Sequence, residues 1–217
     1  MTLTRRDFHR FVLAALGAGA LPAIAKTLEP GRDFELIEPP QTGVEPQKIE
    51  VLEFFAYGCP HCMEFHPILM DWIKRQPPDV SFKRVPVSFN RAAWANLARL
   101  FYALQATGDL ARLDEDIFRA LHHERVKLYT QPAIVAWVKQ HGVDAKRFTD
   151  AFESLGATSR LKRDEQRVND YRVQSVPLLT IDGRYAVVAK NAKTFRDHLA
   201  IADTLLAQTR AERKAAA

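Results

Sequence analysis

The sequence predicts an α/β fold in which one mixed central sheet carries helices on its faces and an all-helical subdomain is inserted into it. Three observations lead there. Between 49 and 87 a nearly continuous apolar, β-prone stretch, an amphipathic stretch and a second β-prone stretch follow one another, the pattern of a βαβ unit. From about 91 to 172 the apolar spacing changes to the helical period, interrupted by breakers. Strand character then returns at 178–181 and 184–188, separated by Asp182-Gly183, the dipeptide that a type I′ hairpin turn favours, and a last helical stretch follows. The expected organisation is a sheet domain from 26–90 and 173–217, with 91–172 as the inserted helical subdomain.

Residues 1–25 are read as an address rather than as part of this fold. A basic start with Arg5, Arg6 and Arg10, an apolar stretch at 11–21 and a small-residue end at Ala23-Ile24-Ala25 form a signal-peptide pattern cleaved before Lys26. The apolar stretch is about eleven residues, short of the roughly 20 that span a bilayer as a helix. Thr4-Arg5-Arg6-Asp7-Phe8 is similar to the twin-arginine export signature, with an ordinary secretory signal as the alternative. Either reading exports the protein and leaves it soluble after cleavage.

The elements follow in order. Residues 26–48 are rich in Pro, Gly and polar groups and form an arm with a short edge strand at 34–38. A strand at 49–56 is apolar enough to be buried on both faces, with Glu53 as its anomaly. A helix starts at Pro60 in its first turn, carries Phe65, Ile68, Leu69 and Trp72 on one side, and stops before Gln76-Pro77-Pro78. A second strand is expected at 80–87. In the helical block, Trp94, Leu97, Phe101 and Leu104 mark a helix ending near Gly108, and another covers 111–123. A third follows Thr130, and a fourth is capped by Asp144 and reaches Leu155 through Phe148 and Phe152. The fifth begins near Ser159, and its basic stripe of Arg160, Lys162, Arg163 and Arg167 is read as a solvated face. The last helix is expected over 192–207, with the tail from Arg210 fraying.

Composition excludes several functions. With 217 residues, 47% hydrophobic and 26% charged, 9 Gly and 12 Pro, the chain is neither disordered, collagen-like nor a coiled coil. Its net charge of +5 is spread without a run of like charges, so nucleic acid is not an expected partner. Both of its 2 cysteines lie in Cys59-Pro60-His61-Cys62, which excludes a disulfide-stapled mini-protein and a zinc ribbon built on paired motifs.

That tetrapeptide carries the chemistry. Cys59 falls where a strand gives way to a helix, so its sulfur meets the unpaired N–H groups and the positive dipole end of the first turn, both of which favour thiolate. Cys62 is one turn on, within disulfide reach, and the His61 ring can donate a hydrogen bond or hold a positive charge nearby. Stabilising the reduced thiolate makes the disulfide a stronger oxidant, by about 30 mV for each pKa unit of depression. The reading is a disulfide donor. As a staple the four-residue loop is worth only roughly 2 kcal/mol. Zinc would need two more ligands, and His66, His122 and His123 show no matching spacing. Inert buried thiols do not suit an accessible helix start. No metal and no cofactor beyond the Cys59–Cys62 disulfide is expected. Val176-Pro177, just before a strand, is a candidate backbone site for an extended client. Glu53 is either a buried acid with a raised pKa that moves protons during thiol exchange or one half of an ion pair with Lys83 or Arg84.

Val51 to Gly58 leading into Cys59-Pro60-His61-Cys62, the helical insertion, Ser175 to Leu179 and the hairpin around Asp182-Gly183 together resemble the DsbA family of periplasmic thiol:disulfide interchange proteins, in the thioredoxin superfamily. The resemblance covers nearly the whole chain after the signal. It implies a thioredoxin fold, Cys59 as exposed nucleophile, Cys62 as buried resolving thiol, Glu53 as buried acid and Pro177 as the cis-proline. It implies as partners exported proteins with free cysteines and a quinone-linked membrane reoxidase of the DsbB type, with the protein itself a periplasmic monomer. Ser175-Val176 stands where the best-known members carry Gly-Val, a departure that bears on client range. The competing functions are an isomerase or reductase of the same superfamily, and a noncatalytic peptide-binding chaperone.

Overall fold

The computed structural model describes residues 28–43 and 45–216, so the expected export signal at 1–25 lies outside the described residues. Strands β1 (Phe34–Leu36), β2 (Ile49–Phe55), β3 (Val80–Pro86), β4 (Leu178–Ile181) and β5 (Tyr185–Val187) form one sheet in the order β1-β5-β4-β2-β3. The helices are α1 (Pro60–Ile73), α2 (Ala92–Thr107), α3 (Leu110–His122), α4 (Gln131–Gln140), α5 (Ala145–Glu153), α6 (Leu155–Asp170) and α7 (Phe195–Ala215). The sheet is mixed, because β2 and β3 run parallel across the α1 crossover while β4, β5 and β1 add antiparallel partners.

β2 sits between β3 and β4, and all seven of its residues are buried, which is why its sequence is apolar without the alternation of a half-exposed strand. Ile49 and Val51 share a core with Phe65, Leu69 and Trp72 of α1 and Leu199, Leu205 and Leu206 of α7. Leu52 and Phe54 belong to a separate core with Val85, Tyr171 and Val173. The chain leaves the sheet after β3 and rejoins it at β4, with α2 to α6 in between. Leu97, Leu100 and Leu104 of α2 pack with Ile117, Ile134 and Phe148 in a third core, which continues into Phe55, Tyr57, Cys59 and Cys62. The helical block and the end of β2 therefore share one apolar interior.

Local signals set most ends. Gly108, at φ 83°, closes α2 with its N–H on the Leu104 carbonyl, the left-handed cap that glycine adopts most cheaply. The Asp144 side chain accepts the Arg147 N–H at 2.8 Å and opens α5. Asp182 and Gly183 both have positive φ, and the Arg184 N–H returns to the Ile181 carbonyl at 3.0 Å, giving the expected two-residue hairpin turn.

Two expectations are corrected. The fourth helix of the block does not reach Leu155, and the fifth does not wait for Ser159. Ser154 adopts extended backbone, and its hydroxyl accepts the Ala157 N–H at 3.0 Å, starting α6 at Leu155. Leu155 is thereby 85% exposed, although its spacing from Phe148 and Phe152 reads as a continued apolar face. The C-terminal tail does not fray at Arg210. α7 begins behind a capping box of Thr194 and Asp197 and continues to Ala215, because Leu205, Leu206 and Thr209 are buried and the following turn is tied down. Arg210 pairs with Asp79 at 2.6 Å, Glu212 with Arg184 at 2.6 Å, and Arg213 with Asp182.

Gly183 lies at φ 63°, and a Cβ there would stand 1.9 Å from the Gln41 carbonyl oxygen. Gly183→Ala is expected to cost on the order of 3 kcal/mol, from left-handed strain plus the displaced arm. Urea denaturation of the two proteins measures this, and equal midpoints would contradict it.

Candidate active site

β2 ends at Phe55, and Ala56-Tyr57-Gly58 turn the chain into α1. Cys59 is the N-cap residue, extended at φ −97° and ψ 119°, and Pro60 occupies the first turn, where its missing N–H costs nothing. The Cys59 N–H donates to the Ala56 carbonyl at 3.0 Å, and its carbonyl accepts from Cys62 and Met63 at 3.1 and 3.2 Å. Gly58 is required here, since a Cβ would stand 2.7 Å from the Trp94 indole nitrogen. Both cysteines are free thiols, Cys59 8% exposed and Cys62 fully buried. Across the sequence, the Cys59 thiol donates to the Val176 carbonyl at 3.4 Å, and the Val176–Pro177 bond is cis. Half-buried Met63, Trp94 and Val176 pack against the core that contains the two cysteines.

The two sulfurs have opposite acidities. Cys59 is brought down to about 6, chiefly by a hydrogen bond from the Cys62 thiol. Burial opposes this, while the backbone N–H groups of Cys62 and His61 and then the charge of His61 add to it. Burial drives Cys62 far up, and its bond to Cys59 and the nearby charges of Cys59 and Glu53 drive it further. The sequence suggests the helix start and the His61 ring as the stabilisers. In the structure the neighbouring thiol comes first and the His61 ring last, for a geometric reason: the ring is exposed, with Nδ1 3.5 Å from the Glu64 carboxylate.

Beside the thiols lies a buried charged cluster. Glu53 on β2 is the register partner of Arg84 on β3, and Arg84 Nε donates to Glu53 Oε2 at 2.6 Å. Of the two ion-pair candidates, Arg84 takes the role, and Lys83 turns to Glu50 at 3.1 Å. Arg84 Nη1 donates to Asp114 on α3, which also accepts the Tyr57 hydroxyl and stands 3.5 Å from His66 Nε2. The Arg84 guanidinium is stacked 3.8 Å above the Phe55 ring. Burial raises the pKa of Glu53 and the Arg84 charge partly restores it, while Glu53 Oε1 is buried with no hydrogen-bond partner. Burial and then the Arg84 charge push His66 down to about 4, so the ring is neutral. His122 instead meets the Tyr57 carbonyl at 2.7 Å. Among the described residues no group of three or more His, Cys, Asp or Glu is placed to hold a metal ion.

Tyr57, His66 and Asp114 were not singled out as members of this cluster by sequence. Asp114 reads as one of many carboxylates on an amphipathic helix, and only packing of α3 onto α1 reveals its partners.

Fold and site define a thiol oxidoreductase of the thioredoxin class. The DSBA-like thioredoxin domain family matches residues 50–200. The thiol:disulfide interchange protein DsbA of Burkholderia cepacia is 38% identical over 177 residues, 80% of this chain and 83% of that protein. The protein of the same name from Bordetella pertussis is 36% identical over 200 residues, 91% and 94% of the two chains. The crystal structure of Pseudomonas aeruginosa DsbA superposes with a TM-score of 0.82 at 29% identity, covering 86% of this chain and 97% of that one. The chain belongs to the DSBA-like thioredoxin family.

Titrating the reduced protein by thiolate absorbance near 240 nm should give a Cys59 midpoint near 6, and His61→Ala should move it upward by less than Cys62→Ala does. A larger effect of His61→Ala would overturn the ranking of causes. A pKa below the ordinary value near 9 means that reduced-state stability is complete above about 9 and is lost as pH falls through about 6. Denaturation midpoints of the reduced protein minus those of Cys59→Ser should therefore grow between pH 5.5 and pH 8. Separately, Arg84→Met leaves buried carboxylates uncompensated and is expected to cost about 3–5 kcal/mol, part of which Glu53→Gln in the same chain restores.

Proposed function

We propose that the protein is a periplasmic disulfide donor, exported by its N-terminal signal and soluble after cleavage, that passes the Cys59–Cys62 disulfide to exported proteins with free cysteines. The observation that carries this is the split in acidity between the two sulfurs. A stable Cys59 thiolate makes the dithiol form comfortable and the disulfide form oxidising.

In the oxidised protein a client thiolate attacks Cys59, the Cys59–Cys62 bond breaks, and Cys62 departs with the electron pair. Cys62 is the more basic sulfur and takes up a proton at once. Glu53, whose second carboxylate oxygen is unpartnered, is the group suited to relay it. A second client thiolate then attacks the client sulfur of the mixed disulfide, and Cys59 leaves as the thiolate that its surroundings favour. Two electrons have moved from client to protein, and the client holds a disulfide. Val176, with its carbonyl beside Cys59, offers backbone to an extended client segment, and Met63 and Trp94 offer apolar surface. Family membership supports reoxidation by a quinone-linked membrane protein of the DsbB type and action as a monomer without cofactor.

The test is reoxidation of reduced, unfolded ribonuclease in a glutathione buffer, with insulin reduction in parallel. The wild type should accelerate ribonuclease recovery and reduce insulin poorly. Cys59→Ser should abolish the acceleration, and Cys62→Ala should accumulate a mixed disulfide. Recovery that survives Cys59→Ser would instead indicate a noncatalytic chaperone, and efficient insulin reduction a reductase.

A further inference from the structure

Away from the cysteine motif, α2, α3 and α6 enclose with β3 a cavity of about 730 Å³. None of its lining residues belongs to Cys59-Pro60-His61-Cys62. Its walls hold the cationic groups Lys83, Arg84, Arg160, Arg163 and Arg167 against the carboxylates Asp114 and Asp164. Three of these arginines form the stripe of α6 that its sequence presents as a solvated face. They project instead around a concave space.

Two buried donors in the same wall lack acceptors. Arg84 spends Nε on Glu53 and Nη1 on Asp114, while Nη2 is buried with no partner. The hydroxyl of Tyr102, a residue 6% exposed, is likewise buried and unpartnered. Buried donors left unsatisfied each cost about 1–3 kcal/mol, and both lie in the lining of one cavity. Arg160, whose guanidinium is 5.8 Å from the Tyr102 ring, holds only the neutral amide oxygen of Gln105, and Arg163 has no ion pair among the described residues. The remaining surface is apolar, from Phe82, Phe101 and Leu110. What this combination lacks is a ligand with acceptor oxygens, negative charge and an apolar body.

We propose that this cavity is a binding site for a small organic anion, whose phosphate or carboxylate oxygens accept from Arg84 Nη2 and the Tyr102 hydroxyl under the charge of Arg160 and Arg163. The body of the ligand rests on Phe82, Phe101 and Leu110. Binding is strongest at low ionic strength, because the ring of arginines is partly open to solvent.

Phenyl phosphate and benzoate serve as probes of the two oxygen chemistries, with benzyl alcohol as the uncharged counterpart. In calorimetric titrations of the purified protein at low salt, at least one anion should bind with a Kd below roughly 10 mM, and benzyl alcohol should not. The double variant Arg160→Ser/Arg163→Ser alters two exposed side chains, so it folds, and it should raise that Kd by about tenfold or more. Tyr102→Phe should weaken binding by a smaller factor while leaving the circular dichroism unchanged. The Arg84 side-chain NMR signal should move on addition of the anion that binds. Preference for phenyl phosphate assigns a phosphate ligand, and preference for benzoate a carboxylate. Absence of binding by both anions, equal binding of benzyl alcohol, or an unchanged Kd in the double variant would overturn the proposal.

Discussion

A sulfur held as an anion at the start of α1 is the constraint on which the rest of the structure depends. Cys59 caps the helix without a conventional side-chain cap, so the N–H groups of His61 and Cys62 are free to face its sulfur, and the Cys62 thiol adds the largest single contribution. The same turn buries Cys62 completely and makes it the more basic partner. One helical turn therefore creates two thiols of unequal character from the same residue type. The asymmetry decides which sulfur a client meets and which one leaves protonated.

That turn is held in place by its surroundings. β2, buried on both faces, fixes the position of the chain entering α1, and the helical block shares its core with Phe55, Tyr57 and both cysteines. Trp94 is pressed so closely against Gly58 that no side chain fits there. Val176 reaches Cys59 from the segment that leads into β4, after the whole helical block has intervened. The insertion is thus more than an appendage, since it builds part of the wall around the thiols.

Burying Glu53, Arg84 and Asp114 together is costly unless each charge is compensated, and the compensation is nearly complete. Arg84 stands between two carboxylates, Tyr57 and His66 attend Asp114, and Phe55 supplies its ring face. The exceptions are informative: one Glu53 oxygen and one Arg84 nitrogen remain without partners. The carboxylate lies close enough to the thiols for its charge to be felt by Cys62, and the guanidinium lines the cationic cavity. Arg84 is therefore common to the surroundings of the cysteines and to that cavity.

The sequence by itself determined the order of elements, the buried central strand, the hairpin turn and the identity of the reactive pair. Each of these rests on local physics: apolar continuity in β2, positive φ at Asp182-Gly183, and two cysteines one helical turn apart with proline at the helix start. Where local signals compete, the chain alone misleads. Leu155 extends an apolar spacing that Ser154 interrupts, and the residues beyond Arg210 look like a loose end until Asp79, Asp182 and Arg184 approach from distant segments. Only the tertiary structure decided that Glu53 pairs with Arg84 rather than Lys83, that Asp114 and His66 join them, and that the arginines of α6 face a cavity. Charged pairing across distant elements leaves no periodic trace in a sequence, because the side chains that meet are chosen by packing rather than by spacing.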